Sequence, residues 1–114
     1  MKNIEQLKLK DNERVALQEL KRRLLERFKK AEIILYGSKA RGDYDRESDI
    51  DLLILIDEEI NTALEDEIIS LAYDIELLYD VVFGLLIESK RDWNSEIFRA
   101  MPIHWNVNRE GVLI

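Results

Sequence analysis

The 114-residue chain has no cysteine, one proline (Pro102), one histidine (His104) and four glycines. Without cysteine there is no disulfide framework, no thiol nucleophile and no thiolate metal site, and a reducing, cytoplasmic setting is the expectation. A single histidine leaves two-histidine zinc chemistry and a Ser/His triad poorly supplied, so hard, oxygen-bound metals remain open. So few glycines and prolines argue against an all-β barrel or a disordered tract. Long apolar runs are also missing. The densest, Leu52 to Ile56, falls far short of the roughly 20 residues that span a bilayer, and Met1-Lys2-Asn3-Ile4-Glu5 has no apolar signal core. Neither export by such a signal nor a membrane span is expected. A basic surplus is absent too: 17 Lys and Arg stand against 24 Asp and Glu, a formal charge of −7. The overall field repels phosphate backbones, so no independent nucleic-acid binding is expected.

What is present suits one helix-rich α/β domain over residues 1–114, since 46% of the residues are hydrophobic and the length fits one core. Leu17, Leu20, Leu24, Leu25 and Phe28 recur at helical spacing and predict an amphipathic helix from Asn12 to about Lys30. Its basic cluster Lys21-Arg22-Arg23 alternates with Glu19 and Glu26 and reads as a solvated face. Ile33 to Tyr36 predict a strand that stops at Gly37-Ser38, and Lys39 to Ser48 a loop, or a very short helix and then a loop. Asp49 to Ile56 read as a central strand covered on both faces. Leu64, Ile68, Leu71, Ile75 and Leu78 predict a helix to Tyr79 with Asn61 as its N-cap. Val81 to Ile87 predict a third strand, and Ser89 caps a helix to about Ala100 that Pro102 breaks. Trp93 and Trp105 read as packing residues, and His104 as a structural or solvated side chain without a catalytic role.

Two features break local rules. Asp is depleted in strands and resists burial when ionised, yet Asp49 and Asp51 open the most apolar strand. Strand alternation points both to one face with Cα atoms about 6.5–7 Å apart, so their carboxylates converge. Two converging carboxylates on a rigid strand suit Mg²⁺, which takes few protein oxygens and leaves positions for water and substrate phosphates. The second feature is Gly37-Ser38. Gly permits a sharp turn and close approach, and the Ser hydroxyl and nearby amides can donate to an anion. Lys39 and Arg41 gather positive charge there, so the local field can attract a triphosphate.

Leu35-Tyr36-Gly37-Ser38-Lys39-Ala40-Arg41-Gly42 followed by Ser48-Asp49-Ile50-Asp51-Leu52 resembles the signature of the polymerase-β-like nucleotidyltransferase superfamily. More narrowly the chain resembles the minimal nucleotidyltransferases, catalytic cores often encoded beside a small all-helical partner as a toxin–antitoxin pair. The resemblance implies a short mixed β-sheet with helices packed mainly on one face. It implies Gly37 and Ser38, with Lys39 and Arg41, as nucleotide-binding residues, Lys39 standing where many members have Arg. Asp49 and Asp51 would be catalytic and hold Mg²⁺. The implied reaction moves a nucleoside monophosphate from a nucleoside triphosphate such as ATP to a hydroxyl of a protein or RNA. A core this small also implies a homodimer or the helical partner to complete the acceptor site. One departure bears on activity: active members usually carry a third acid in the strand after the long helix, and Val81 to Ile87 contain none. Asp80 and Glu88 flank it and share the parity of Val82. The alternative is an inactive protein of this fold that neutralises a helical partner by binding.

Overall fold

The computed structural model describes residues 2–43 and 48–114, with residues 2 and 3 in backbone only. Five strands form one mixed sheet in the order β1-β5-β2-β3-β4. They are β1 (Lys2–Asn3), β2 (Glu32–Tyr36), β3 (Ile50–Ile56), β4 (Phe83–Ser89) and β5 (Val112–Leu113). The helices are α1 (Asp11–Arg27), α2 (Ser38–Arg41), α3 (Thr62–Tyr79), α4 (Lys90–Trp93), α5 (Glu96–Arg99) and α6 (Pro102–Glu110). β2 runs antiparallel to β3, and β3 runs parallel to β4 through the α3 crossover.

β3 is apolar on both faces because both are covered. Ile50, Leu52, Ile54 and Ile56 join Ile33, Leu35 and Phe83 beneath α1 and α3, meeting Leu17, Leu20, Leu24, Ile68 and Ile75. Truncating any of these fully buried leucines to alanine costs about 2–5 kcal/mol in loss of transfer energy and cavity formation. On the other face Leu53 and Leu55 pack with Ile34, Trp93 and Val107 of the carboxy-terminal segment. The long helices thus lie on one face, as expected, and the short α4 to α6 cover part of the other.

Boundaries moved where side chains captured the backbone. Asn61 caps α3, its side-chain oxygen accepting the Leu64 N–H at 2.8 Å. At the other end Asp80 adopts left-handed φ 55°, ψ 54°. The Asn12 side-chain amide donates to the carbonyls of Tyr79 and Asp80 at 2.9 and 3.4 Å, and the Phe83 N–H donates to Glu76 at 3.0 Å. Residues 80–82 are spent on this exit, so β4 starts at Phe83 rather than Val81.

The single helix expected after Ser89 is two one-turn helices, capped by the Ser89 and Ser95 hydroxyls. Pro102 starts α6 rather than ending its predecessor, because a first-turn N–H has no intrahelical partner to lose. His104 is buried and stacked on Trp93 with ring centroids 4.5 Å apart. Trp105, expected in the core, is instead exposed beneath the Arg109 guanidinium at 4.4 Å. Among the described residues no helix is long and apolar enough to cross a membrane. The one-turn α2 answers the expectation of a very short helix; of the loop expected after it, residues 44–47 lie outside the described residues.

Candidate active site

Asp51 is the second residue of β3 and pairs across the sheet with Tyr36 on one side and Gly84 on the other. Its carboxylate fits because glycines flank it on both sides, Gly37 just after β2 and Gly84 within β4. A Cβ on Gly37 would lie 2.5 Å from Asp51 Oδ2, and one on Gly84 would lie 2.7 Å from Oδ1. No real Cβ tolerates such contacts, so each oxygen occupies space that a side chain would take. Gly37 also has φ +78°, a conformation that side-chain-bearing residues rarely adopt. Burial pushes the Asp51 carboxyl above its ordinary range, the charges of Asp49 and Glu110 push the same way, and Arg41 opposes them. Asp49 is exposed just before β3 on the alternation parity of Asp51.

Gly37 follows β2 directly and Ser38 opens α2, so the loop expected to seat phosphates lies next to Asp51. Arg41 is exposed and reaches Glu110, its Nη1 lying 3.0 and 3.2 Å from the two carboxylate oxygens. The Gly37 N–H donates to Glu110 Oε1 at 2.9 Å. Lys39 departs from the expectation. Its side chain is fully buried, with Nζ 2.6 Å from Glu13 Oε2 of α1. The alternation of a helical turn sends it beneath α1 while Arg41 points out, so Lys39 anchors the turn instead of offering a phosphate contact.

Neither acid considered for the third carboxylate lies beside Asp51. The left-handed backbone at Asp80 breaks the strand alternation, and its exposed side chain borders a 250 Å³ cleft with Lys10, Asn12, Glu13 and Ser48. Glu88 pairs with Leu55, four positions and about 13 Å along the strand from Gly84. The position that continues the register opposite Asp49 is Val82, which is exposed and whose carbonyl accepts the Ile50 N–H at 2.9 Å. Among the described residues no group of three or more acids or histidines is arranged to enclose a metal. Two carboxylates at an open rim nevertheless fit an ion held partly by substrate phosphates.

A family model for the nucleotidyltransferase domain matches residues 17–103, spanning the whole Gly37-to-Asp51 region. The chain belongs to the nucleotidyltransferase domain family. It is 41% identical over 104 residues to "Putative protein adenylyltransferase MJ0604" of Methanocaldococcus jannaschii, covering 88% of this chain and 95% of that one. A second protein of the same organism, MJ0141, carries the same description and is 45% identical over 58 residues, 51% of this chain and 59% of its own length. In fold the chain resembles a toxin–antitoxin crystallised with AMP-PNP, with TM-score 0.58 and 21% identity over 91% of this chain and 72% of the other.

Two residues that shape this candidate site escaped sequence reasoning. Gly84 carried a legible signal, since glycine inside an apolar strand marks close approach of another group. Glu110 carried none: it lies 73 residues from Gly37 in the chain.

Proposed function

We propose that the chain transfers a nucleoside monophosphate, with ATP as the donor, to a hydroxyl of a partner protein, as the antitoxin member of a toxin–antitoxin pair. The observation that carries this reading is the Asp51 carboxylate clamped between Gly37 and Gly84, with Asp49 on the same side of the strand and the Gly37-Ser38 turn beside it. The adenylyl donor and protein acceptor follow the similarity to MJ0604. In the reaction the acceptor oxygen forms a bond to the α-phosphorus and the α–β bridging bond breaks. Pyrophosphate leaves with that electron pair, and the hydroxyl proton passes to solvent.

The chain's contribution is orientation and charge. Gly37 allows phosphates to approach the backbone, Ser38 and Arg41 supply donors, and Asp49 and Asp51 would hold Mg²⁺. When bound, Mg²⁺ would neutralise phosphate charge and align the α-phosphate with the attacking oxygen. Lys39 holds the turn in place through Glu13. The test is incubation with α-labelled nucleoside triphosphates, Mg²⁺ and the product of the neighbouring gene. Label should move to the partner from ATP and not with Asp49→Asn/Asp51→Asn.

A second reading, a partner-binding protein without turnover, is favoured by one observation: Val82 just before β4 and Gly84 within it stand where a third acid would be expected. Tight partner binding without any label transfer would select it.

A further inference from the structure

Glu110 is held in place by the fold. α6 ends at Glu110, and a Cβ on the next residue, Gly111, would lie 2.4 Å from the Val107 carbonyl oxygen and 2.8 Å from Ile34 Cγ2. Only glycine permits that close turn. Val112 and Leu113 then pair with Leu35 and Ile34 of β2, the strand that delivers Gly37. The carboxylate is pinned from both directions, and its side chain is only 10% exposed. It accepts the Gly37 N–H at 2.9 Å and faces Arg41 Nη1 at 3.0 and 3.2 Å.

These two donors are the ones a nucleotide's phosphates would use. A carboxylate accepting an amide N–H and a guanidinium N–H satisfies them as a phosphate oxygen would. With Asp49 and Asp51 close by, Glu110 also adds negative charge where an anion must enter. Glu110 lies beyond residues 17–103, the span matched by the family model.

We infer that Glu110 is a built-in competitor for the phosphate seat, an autoinhibitory carboxylate that an incoming polyphosphate must displace from Gly37 and Arg41. The identity of that polyphosphate rests on the nucleotidyltransferase reading; the competition itself does not. Displacement leaves Glu110 without its two partners, so affinity for the anion is set by the difference between two similar interactions.

The test uses inorganic tripolyphosphate, which has neither base nor ribose, without metal. Its binding is measured by calorimetry and by the Gly37 amide resonance, on wild type, Glu110→Gln and Glu110→Ala. Gln keeps an oxygen for the Gly37 N–H and preserves the packing of α6, whereas Ala empties the seat. Both should bind tripolyphosphate roughly tenfold more tightly than wild type, as expected for removing one like charge near a solvated rim. Adding Arg41→Gln to Glu110→Gln should abolish the gain. Unchanged or weaker binding in both variants overturns the inference and makes Glu110 a support for Arg41. Absence of binding in every variant also overturns it, because opening the seat would then expose no anion site. Tighter tripolyphosphate binding without label transfer from ATP would leave the competition standing and sink the transfer reading.

Discussion

Gly84→Ala tests the geometry around Asp51 with little confounding backbone strain, because Gly84, unlike Gly37, does not have a positive φ. Replacing glycine by alanine at such a position stabilises by about 0.4–1 kcal/mol through the unfolded chain. Against this, the new methyl would lie 2.7 Å from Asp51 Oδ1 while Oδ2 already fills the space beside Gly37. Relief requires rotating the carboxylate out of its slot or spreading β3 from β4, and overpacking of this kind costs about 1–3 kcal/mol. The net effect in wild type should be loss of about 0–2.6 kcal/mol. In an Asp51→Ala background the clash is absent, and the same substitution should stabilise by about 0.4–1 kcal/mol. Urea unfolding of the four proteins gives the coupling energy, expected at about 1–3 kcal/mol. Mg²⁺-dependent nucleotide binding should fall in Gly84→Ala almost as far as in Asp51→Ala. Equal effects of Gly84→Ala in the two backgrounds would refute the clamp.

Burial and Asp49 hold the folded-state Asp51 carboxyl above its ordinary range, so its ionisation costs the fold stability as pH rises from about 3.9, the unfolded value, through the raised one. Asp51→Asn should therefore melt above wild type at pH 7 without Mg²⁺, with the gain vanishing near pH 3; a lower melt at pH 7 would make Asp51 a stabilising charge. Lys39→Met strands the buried Glu13 carboxylate and should cost about 3–5 kcal/mol, much of it recovered with Glu13→Leu, because a matched apolar pair avoids the desolvation penalty; denaturant unfolding reads both. Val82→Asp should add a carboxylate opposite Asp49 and raise the rate of nucleotide transfer, whereas Asp80→Asn should leave it unchanged. The reverse pattern in single-turnover assays would show that Asp80 reaches the site.

The framework was legible because it depends on short-range periodicity. Alternation of apolar residues at three and four positions marked α1 and α3, and the apolar run after Asp51 marked a strand covered on both faces, since one segment cannot satisfy such a pattern in water. The candidate site was legible for a related reason: Gly37-Ser38 and Asp49-x-Asp51 contradict the local preferences of strand and turn, and the fold brings Gly37 against Asp51. The carboxy-terminal segment was not legible. Ser89, Ser95 and Pro102 each permit several helix boundaries, and the packing of Trp93 and Val107 on Leu53 and Leu55 selects among them. Lys39 looked like a free cation because nothing local points to Glu13, two elements earlier in the chain. Nothing in the sequence singled out Glu110. Only the pairing of Val112 and Leu113 with β2 carries it across 73 residues to the Gly37 amide, a contact set by sheet register and long-range chain closure, neither of which leaves a periodic trace in the sequence.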